Sequence, residues 1–325
     1  MAAVLHFSLE GEKLHSAFAD IQTKLKAIQR EKEIQLNIAN SLWPQDRYPF
    51  LKEYLIVENK YYQTEITPVD YKTNPEAASK KINSWVEEKT NNKLKNIIST
   101  LPDPLTRLIL VNAIYFKGNW ASQFKESATT QMPFYLNESK SIEVPMMNQT
   151  SKFNYGEEES LQVLELPYVG NELSMLVILP KKTDGLQNLE EILTKDSLEG
   201  WTKDLSNRMV EVYLPRFKMT SEFNLDEVLR SMGMNDAFDM DKANFSGMDG
   251  NPNWLYIGAV LHKAFVDVNE EGTEAAAATV SRVKVKSAPP RPVLFRADHP
   301  FLFLIRDNLT GSILFMGRVS NPSME

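Results

Sequence analysis

The chain of 325 residues contains no cysteine. A disulfide framework, a thiolate nucleophile and a thiolate metal site are therefore excluded. The absence does not fix a compartment; it makes the fold indifferent to redox conditions. Histidine is scarce too. The four present, His6, His15, His262 and His299, are spread along the chain. None stands at His-Glu-x-x-His spacing or in a metal-ligand cluster, so no metal and no cofactor are expected. No Gly-x-Ser-x-Gly elbow, P-loop or dinucleotide fingerprint occurs. No apolar run approaches a membrane-spanning length. The opening Met-Ala-Ala-Val-Leu-His is too short for the apolar core of a signal peptide. Basic residues are outnumbered, and the formal net charge is −7. Neither nucleic acid nor an anionic membrane is an expected partner, because both require a basic footprint.

What remains is ordinary globular material, with 42% apolar and 24% charged residues, enough for a sizeable core. Leu14, Phe18, Ile21, Leu25 and Ile28 step by four and three, which predicts an amphipathic helix. Ile34 to Trp43 reads as a strand closed by Pro44, and Pro49 to Tyr61 as a short helix. Pro75 opens another helix that carries Ala78, Ile82, Trp85 and Val86 and ends near Asn91-Asn92. Leu108 to Phe116 is dense enough for a central strand buried on both faces. From Met132 strands dominate. Gln162 to Leu166 and Leu173 to Leu179 are joined through Gly170-Asn171, a hairpin signal. Leu189 to Leu198 reads as one helix. Val210 to Leu214 and Phe217 to Met219 read as one strand interrupted at Pro215. Leu225 to Met232 is a short helix stopped by Gly233. Leu255 to Val268 reads as one long strand. Val293 to Phe295, Phe301 to Arg306 and Ile313 to Val319 are three more, with a turn at Asn308 to Gly311. No repeat or linker divides residues 1–325, so one α+β domain with large mixed sheets and peripheral helices is expected.

The stretch after the long strand organises the rest. Residues 270–292 run Glu270-Glu271-Gly272-Thr273-Glu274-Ala275-Ala276-Ala277-Ala278, then a basic segment, then Pro289, Pro290 and Pro292. From Thr273 every second residue is small or apolar: Ala275, Ala277, Thr279, Ser281, Val283, Val285. Glu274, Arg282, Lys284 and Lys286 occupy the other register. Such alternation lets one face enter a core while the other stays wet. Four consecutive alanines behind a glycine are nonetheless poor material for a permanent strand. The stretch reads as a strand held in reserve.

Glu-Glu-Gly-Thr-Glu-Ala-Ala-Ala-Ala resembles the hinge of the reactive-centre loop of serpins. The resemblance extends to Leu110–Trp120, Val144–Met147, His262–Ala264, Asp298–Phe301 and Phe315–Pro322, and covers essentially the whole chain. It implies a serpin-like single domain over 1–325 with an exposed reactive-centre loop at 270–292. It also implies site residues: Asn112 and His262 bonded where two strands part to admit the loop, Trp120 at the top of that opening, and Arg216 paired with Glu270. A plain core role for His262 and Trp120, and a solvated one for Glu270, stand beside these. Residues 2–7 resemble the end of the third family helix, so the chain reads as truncated relative to the family. The phrasing of residues 40–51 resembles bacterial members.

The resemblance implies a mechanism. Counting seventeen residues from Glu270 puts the reactive bond between Lys286 and Ser287. Lys286 suits a trypsin-like S1 pocket with a buried carboxylate. The expected partner is a trypsin-like serine protease in covalent complex, and the chain is expected to be a monomer and not an enzyme. Arg282 and Lys284 remain alternative cutting points. An extracellular or periplasmic location is expected, with a cytoplasmic one open. Two rival readings stay: a non-inhibitory carrier or chaperone, and a serine acyl-enzyme using Ser122 and Lys125, whose Ser-x-x-Lys spacing lacks its companion motifs. Sequons at Asn137, Asn148, Asn244 and Asn308 carry little weight, because several arise by chance in a chain this long.

Overall fold

The computed structural model describes residues 1–28, 33–252, 254–272 and 291–323. In chain order the elements are helix α1 (Gly11–Ala27), strand β1 (Ile34–Pro44), α2 (Lys52–Val57) running into a π-helical turn (Glu58–Tyr62), β2 (Glu65–Ile66), α3 (Pro75–Lys89) and β3 (Leu108–Gly118). There follow β4 (Thr130–Asn137), β5 (Lys140–Glu157), β6 (Leu161–Pro167), β7 (Leu173–Pro180), α4 (Leu186–Ile192) and α5 (Lys195–Lys203). Next come β8 (Ser206–Pro215), β9 (Phe217–Asn224), α6 (Asp226–Ser231), α7 (Ser246–Asp249), β10 (Leu261–Val268), β11 (Val293–Arg296), β12 (Phe301–Asp307) and β13 (Ile313–Val319). One sheet has the order β2-β1-β3-β10-β9; the other has the order β11-β8-β5-β6-β7-β12-β13, with β4 on β5. This is the mixed α+β architecture expected. The chain folds as two compact units.

The first unit holds residues 36–116 and 220–265 together with the N-terminal segment. Its helix α3 starts where Asn74 accepts the Ala77 N–H and Pro75 fills the first turn, and stops where Asn91 and Asn92 turn left-handed. Its inner face carries Ala78, Ile82, Trp85 and Val86 onto Trp43, Tyr71, Val111, Ala113 and Tyr115. The Trp43 and Trp85 rings meet edge to face at 5.9 Å. β3 was expected to be buried on both faces. Instead Val111, Ala113 and Tyr115 are buried while Leu110 is 43% exposed. Apolar density alone does not say which face is covered. β3 and β10 pair in parallel, Val111 to Tyr115 against Leu261 to Phe265. β10 begins at Leu261, not at Leu255. The preceding backbone is satisfied elsewhere: Ile257 N–H donates to Ala237 O and Val260 N–H to Asp226 Oδ1, while both side chains pack with Met234 and Phe238.

The second unit holds residues 117–219 and the chain from Val266 on. β6 and β7 form the expected antiparallel hairpin; Asn171 N–H closes a turn on Tyr168 O, with positive φ at Gly170, its second central residue, and at Asn171. Leu161, Val163, Leu176, Ile178, Leu302 and Leu304 form a core covered by Leu189, Leu198 and Trp201. The single helix expected over Leu189 to Leu198 is two helices. Thr194 breaks it by capping α5 in a reciprocal pair with Ser197. Likewise β8 and β9 are separate strands in separate sheets. β8 pairs with β5 up to Pro215, and Arg216 N–H turns to Pro145 O.

Candidate functional site

In the second unit β10 leaves its sheet at Val268 and enters a tight turn. Asn269 and Gly272 exchange both backbone hydrogen bonds, and the Asn269 side chain accepts the Glu271 N–H. The segment from Asn119 to Phe124 grips this turn. Trp120 N–H donates to Glu271 O, Phe124 N–H to Glu270 O, and the Trp120 indole N–H to Asn269 O at 3.0 Å. Gln123 Nε2 reaches Glu271 O at 3.4 Å. Trp120 is buried and stacked on Tyr168 at 4.6 Å, so its donor is fixed in direction. Asn119 bridges Gly272 as a single antiparallel rung. Gly272 has φ +131, and a Cβ there would lie 2.1 Å from Gly118 O. Only glycine fits so close an approach of backbone to backbone.

Glu270 anchors the same turn from its side chain, which is 3% exposed. Its Oε1 accepts from Arg216 Nε at 2.7 Å, from Arg216 Nη2 at 2.5 Å and from the Thr129 hydroxyl. Burial pushes the carboxyl up, but the donors from Arg216 and Thr129 outweigh it and hold it below the ordinary carboxylate range. The Arg216–Glu270 pair is therefore a buried carboxylate held by a half-exposed guanidinium, not a solvated charge.

In the first unit His262 of β10 stands directly opposite Asn112 of β3. Asn112 Nδ2 donates to Asn40 Oδ1 at 2.8 Å, which leaves Asn112 Oδ1 to accept from His262 Nδ1 at 3.1 Å. Phe223 stacks on the imidazole at 6.2 Å. Three adjacent strands, β1, β3 and β10, are thus tied by one side-chain chain. Burial holds the His262 pKa below its ordinary value. The folded state then prefers neutral imidazole, and below about pH 6.5 the unfolded chain takes the proton first. Stability is accordingly present above that pH and falls as pH drops through the lowered folded value. Thermal melts at pH 7 and pH 5 should show this fall, and His262→Asn should flatten part of it.

The side-chain partner of Ser122 is Gln149. Ser122 Oγ donates to Gln149 Oε1 at 2.9 Å, and Gln149 Nε2 returns a bond to Ser122 O. A neutral amide is no general base, so this bond does not activate the hydroxyl. Thr273, Glu274, Ala275 to Ala278, Lys286 and Ser287 lie outside the described residues. The gripping role of Asn119, Gln123, Phe124 and Thr129 was not read from the sequence. Asn119 lies within the quoted Leu110–Trp120 motif, but Thr129 carries no local signal.

Strand β10 thus stands in parallel pairing with β3 and ends in a gripped, glycine-dependent turn. The family described as Serpin (serine protease inhibitor) matches residues 1–322. The chain is 45% identical to human Serpin B4 over 99% of its own length and 82% of that protein. It is 43% identical to human leukocyte elastase inhibitor over 99% of itself and 86% of that protein. Among solved structures it is similar to uncleaved ovalbumin, with a TM-score of 0.87 at 34% identity, covering 99% of this chain and 86% of that one. It is also similar to human thyroxine-binding globulin in complex with its hormone, with a TM-score of 0.84 at 29% identity, over 96% and 81% of the two chains. The chain belongs to the serpin family. That family, and the elastase inhibitors within it, are protease inhibitors rather than enzymes. These relatives are vertebrate proteins, so the bacterial-like phrasing of residues 40–51 stays with the sequence alone.

Proposed function

We propose that this chain is a suicide inhibitor of trypsin-like serine proteases, cut between Lys286 and Ser287. The observation that carries this reading is the parallel pairing of β3 with β10. The turn at Asn269 to Gly272 reverses the chain after β10. A segment returning between the two strands runs antiparallel to both. One parallel ladder is then replaced by two antiparallel ones, which are slightly stronger per residue. Addition of a strand to an existing sheet is a general binding mode, and loop insertion in serpins is a standing example of it. Small residues at Thr273, Ala275, Ala277 and Thr279 suit a face that must enter a packed interior.

The protease serine attacks the Lys286 carbonyl, the Ser287 amine leaves, and an ester joins Lys286 to the protease. Some ten new backbone hydrogen bonds at about 1 kcal/mol each, plus burial of the inward face, release on the order of 10 kcal/mol. The moving strand carries the tethered protease with it and distorts its oxyanion hole before water reaches the ester. Incubation with trypsin should leave an adduct that survives a denaturing gel, and the released fragment should begin at Ser287. Complete turnover of the chain with no adduct contradicts the reading. A second reading, a ligand carrier, is favoured by the similarity to thyroxine-binding globulin and predicts that last result.

A further inference from the structure

Among the described residues, three strands of the larger sheet have a neighbour on one side only: β11, β4 and β13. An open strand edge is a template for pairing with another chain, and proteins blunt it with short strands, proline, charge or cover. β11 is four residues long and follows Pro292, and its Leu294 O already accepts from Gln162 Nε2 at 3.2 Å. β4 carries Pro133, and its Tyr135 N–H donates to Asp298 O at 2.7 Å. β13 has neither device. Its seven residues, Ile313 to Val319, include no proline and a single charge. That charge, Arg318, is directed to Glu190 of α4 at 3.2 Å.

The strand is regular where it matters. Its one irregularity against β12 falls near its start, and Phe315 to Val319 pair in step with Ile305 to Phe301. Phe315 and Val319 are buried, whereas Met316 is 54% and Ile313 43% exposed. The strand is also complementary to itself. Run antiparallel to a second copy with Met316 opposite Met316, it sets Phe315 opposite Gly317, Leu314 opposite Arg318 and Ile313 opposite Val319. No two like charges meet, and the two exposed thioethers cover each other. A register centred on Arg318, or parallel pairing in register, opposes two guanidinium groups. A register centred on Gly317 leaves the central pair without side chains.

We propose that the open edge of β13 binds the same edge of a second copy of this chain, antiparallel about Met316, so that the sheet continues from one protomer into its partner. Such a contact uses the same patch on both copies and closes at two. A ribbon of seven residues a side is smaller than a standard interface, so the dimer dissociates in the micromolar range. This departs from the monomer expected from the sequence.

The proposal is independent of protease trapping, and its test contains no protease. Sedimentation equilibrium of the full chain should show a reversible rise with concentration from the chain mass of 37.1 kDa to twice that mass. Met316→Lys sets two ammonium groups face to face and should weaken association about tenfold or more. Its melting temperature when dilute should match the parent's, because the position is exposed. The chain has no cysteine, so Met316→Cys introduces a single thiol. Directly opposed residues of an antiparallel pair lie about 4.5 to 5.5 Å apart at Cα, within disulfide reach. Oxidised glutathione should therefore link this variant into covalent dimers, while Met240→Cys, 61% exposed but off this sheet, should stay single. A chain that remains a monomer at every concentration overturns the proposal, whatever other strand the edge takes. So does a dimer that Met316→Lys leaves intact, or a Met316→Cys chain that links no faster than Met240→Cys.

Discussion

Thr273→Arg leaves trypsin able to cut the chain but no longer held by it. In the sequence Thr273 follows the gripped turn and opens the small and apolar register of the alternating segment. A guanidinium there must be stripped of water at the first step of insertion between β3 and β10. Desolvating an unpaired charge costs several kcal/mol. On the proposed mechanism insertion competes with hydrolysis of the ester, and a barrier raised by about 3 kcal/mol slows it roughly a hundredfold. The gel-stable adduct should fall to a trace, while cleavage after Lys286 continues. Counting moles of chain consumed per mole of trypsin silenced measures the change directly. A variant that still traps trypsin one for one contradicts the insertion scheme.

Gly272→Val has the second large effect, and it acts on the folded state before any protease arrives. The added Cβ falls 2.1 Å from Gly118 O and 2.6 Å from Asn119 Cα, both backbone atoms that cannot step aside alone. The residue also sits at φ +131, where a β-branched side chain is strained. The turn has to open. Opening it loses the Asn119–Gly272 rung and weakens the bonds from Trp120 and Phe124 to the neighbouring carbonyls. A loss of about 3 kcal/mol or more of stability is expected. Chemical denaturation should show the midpoint falling with little change in slope. If Gly272→Val melts like the parent, the turn is not the anchor described.

The elements legible in the sequence were those with a local cause. The Gly170-Asn171 turn, the Asn74-Pro75 helix start and the Gly233 stop each rest on backbone preferences of a few residues. The strands misjudged in extent were governed by distant partners. Residues 255–260 look like strand, yet the N–H groups of Ile257 and Val260 go to Ala237 and Asp226. Thr194 splits a helix because its hydroxyl and the Ser197 hydroxyl satisfy each other's backbone. The candidate site was partly legible for the same reason. The family resemblance pointed to Asn112, His262, Arg216, Glu270 and Trp120. Composition could not show that Thr129 joins Arg216 on Glu270, because that contact spans 141 residues.

The central claim is that the segment beyond Gly272 is a strand kept out of its sheet until Lys286–Ser287 is cut. Differential scanning calorimetry of the intact and the trypsin-nicked chain tests it most directly. Release of about 10 kcal/mol on insertion should raise the melting temperature of the nicked chain by roughly 20 °C. Equal melting temperatures for the two forms contradict the claim.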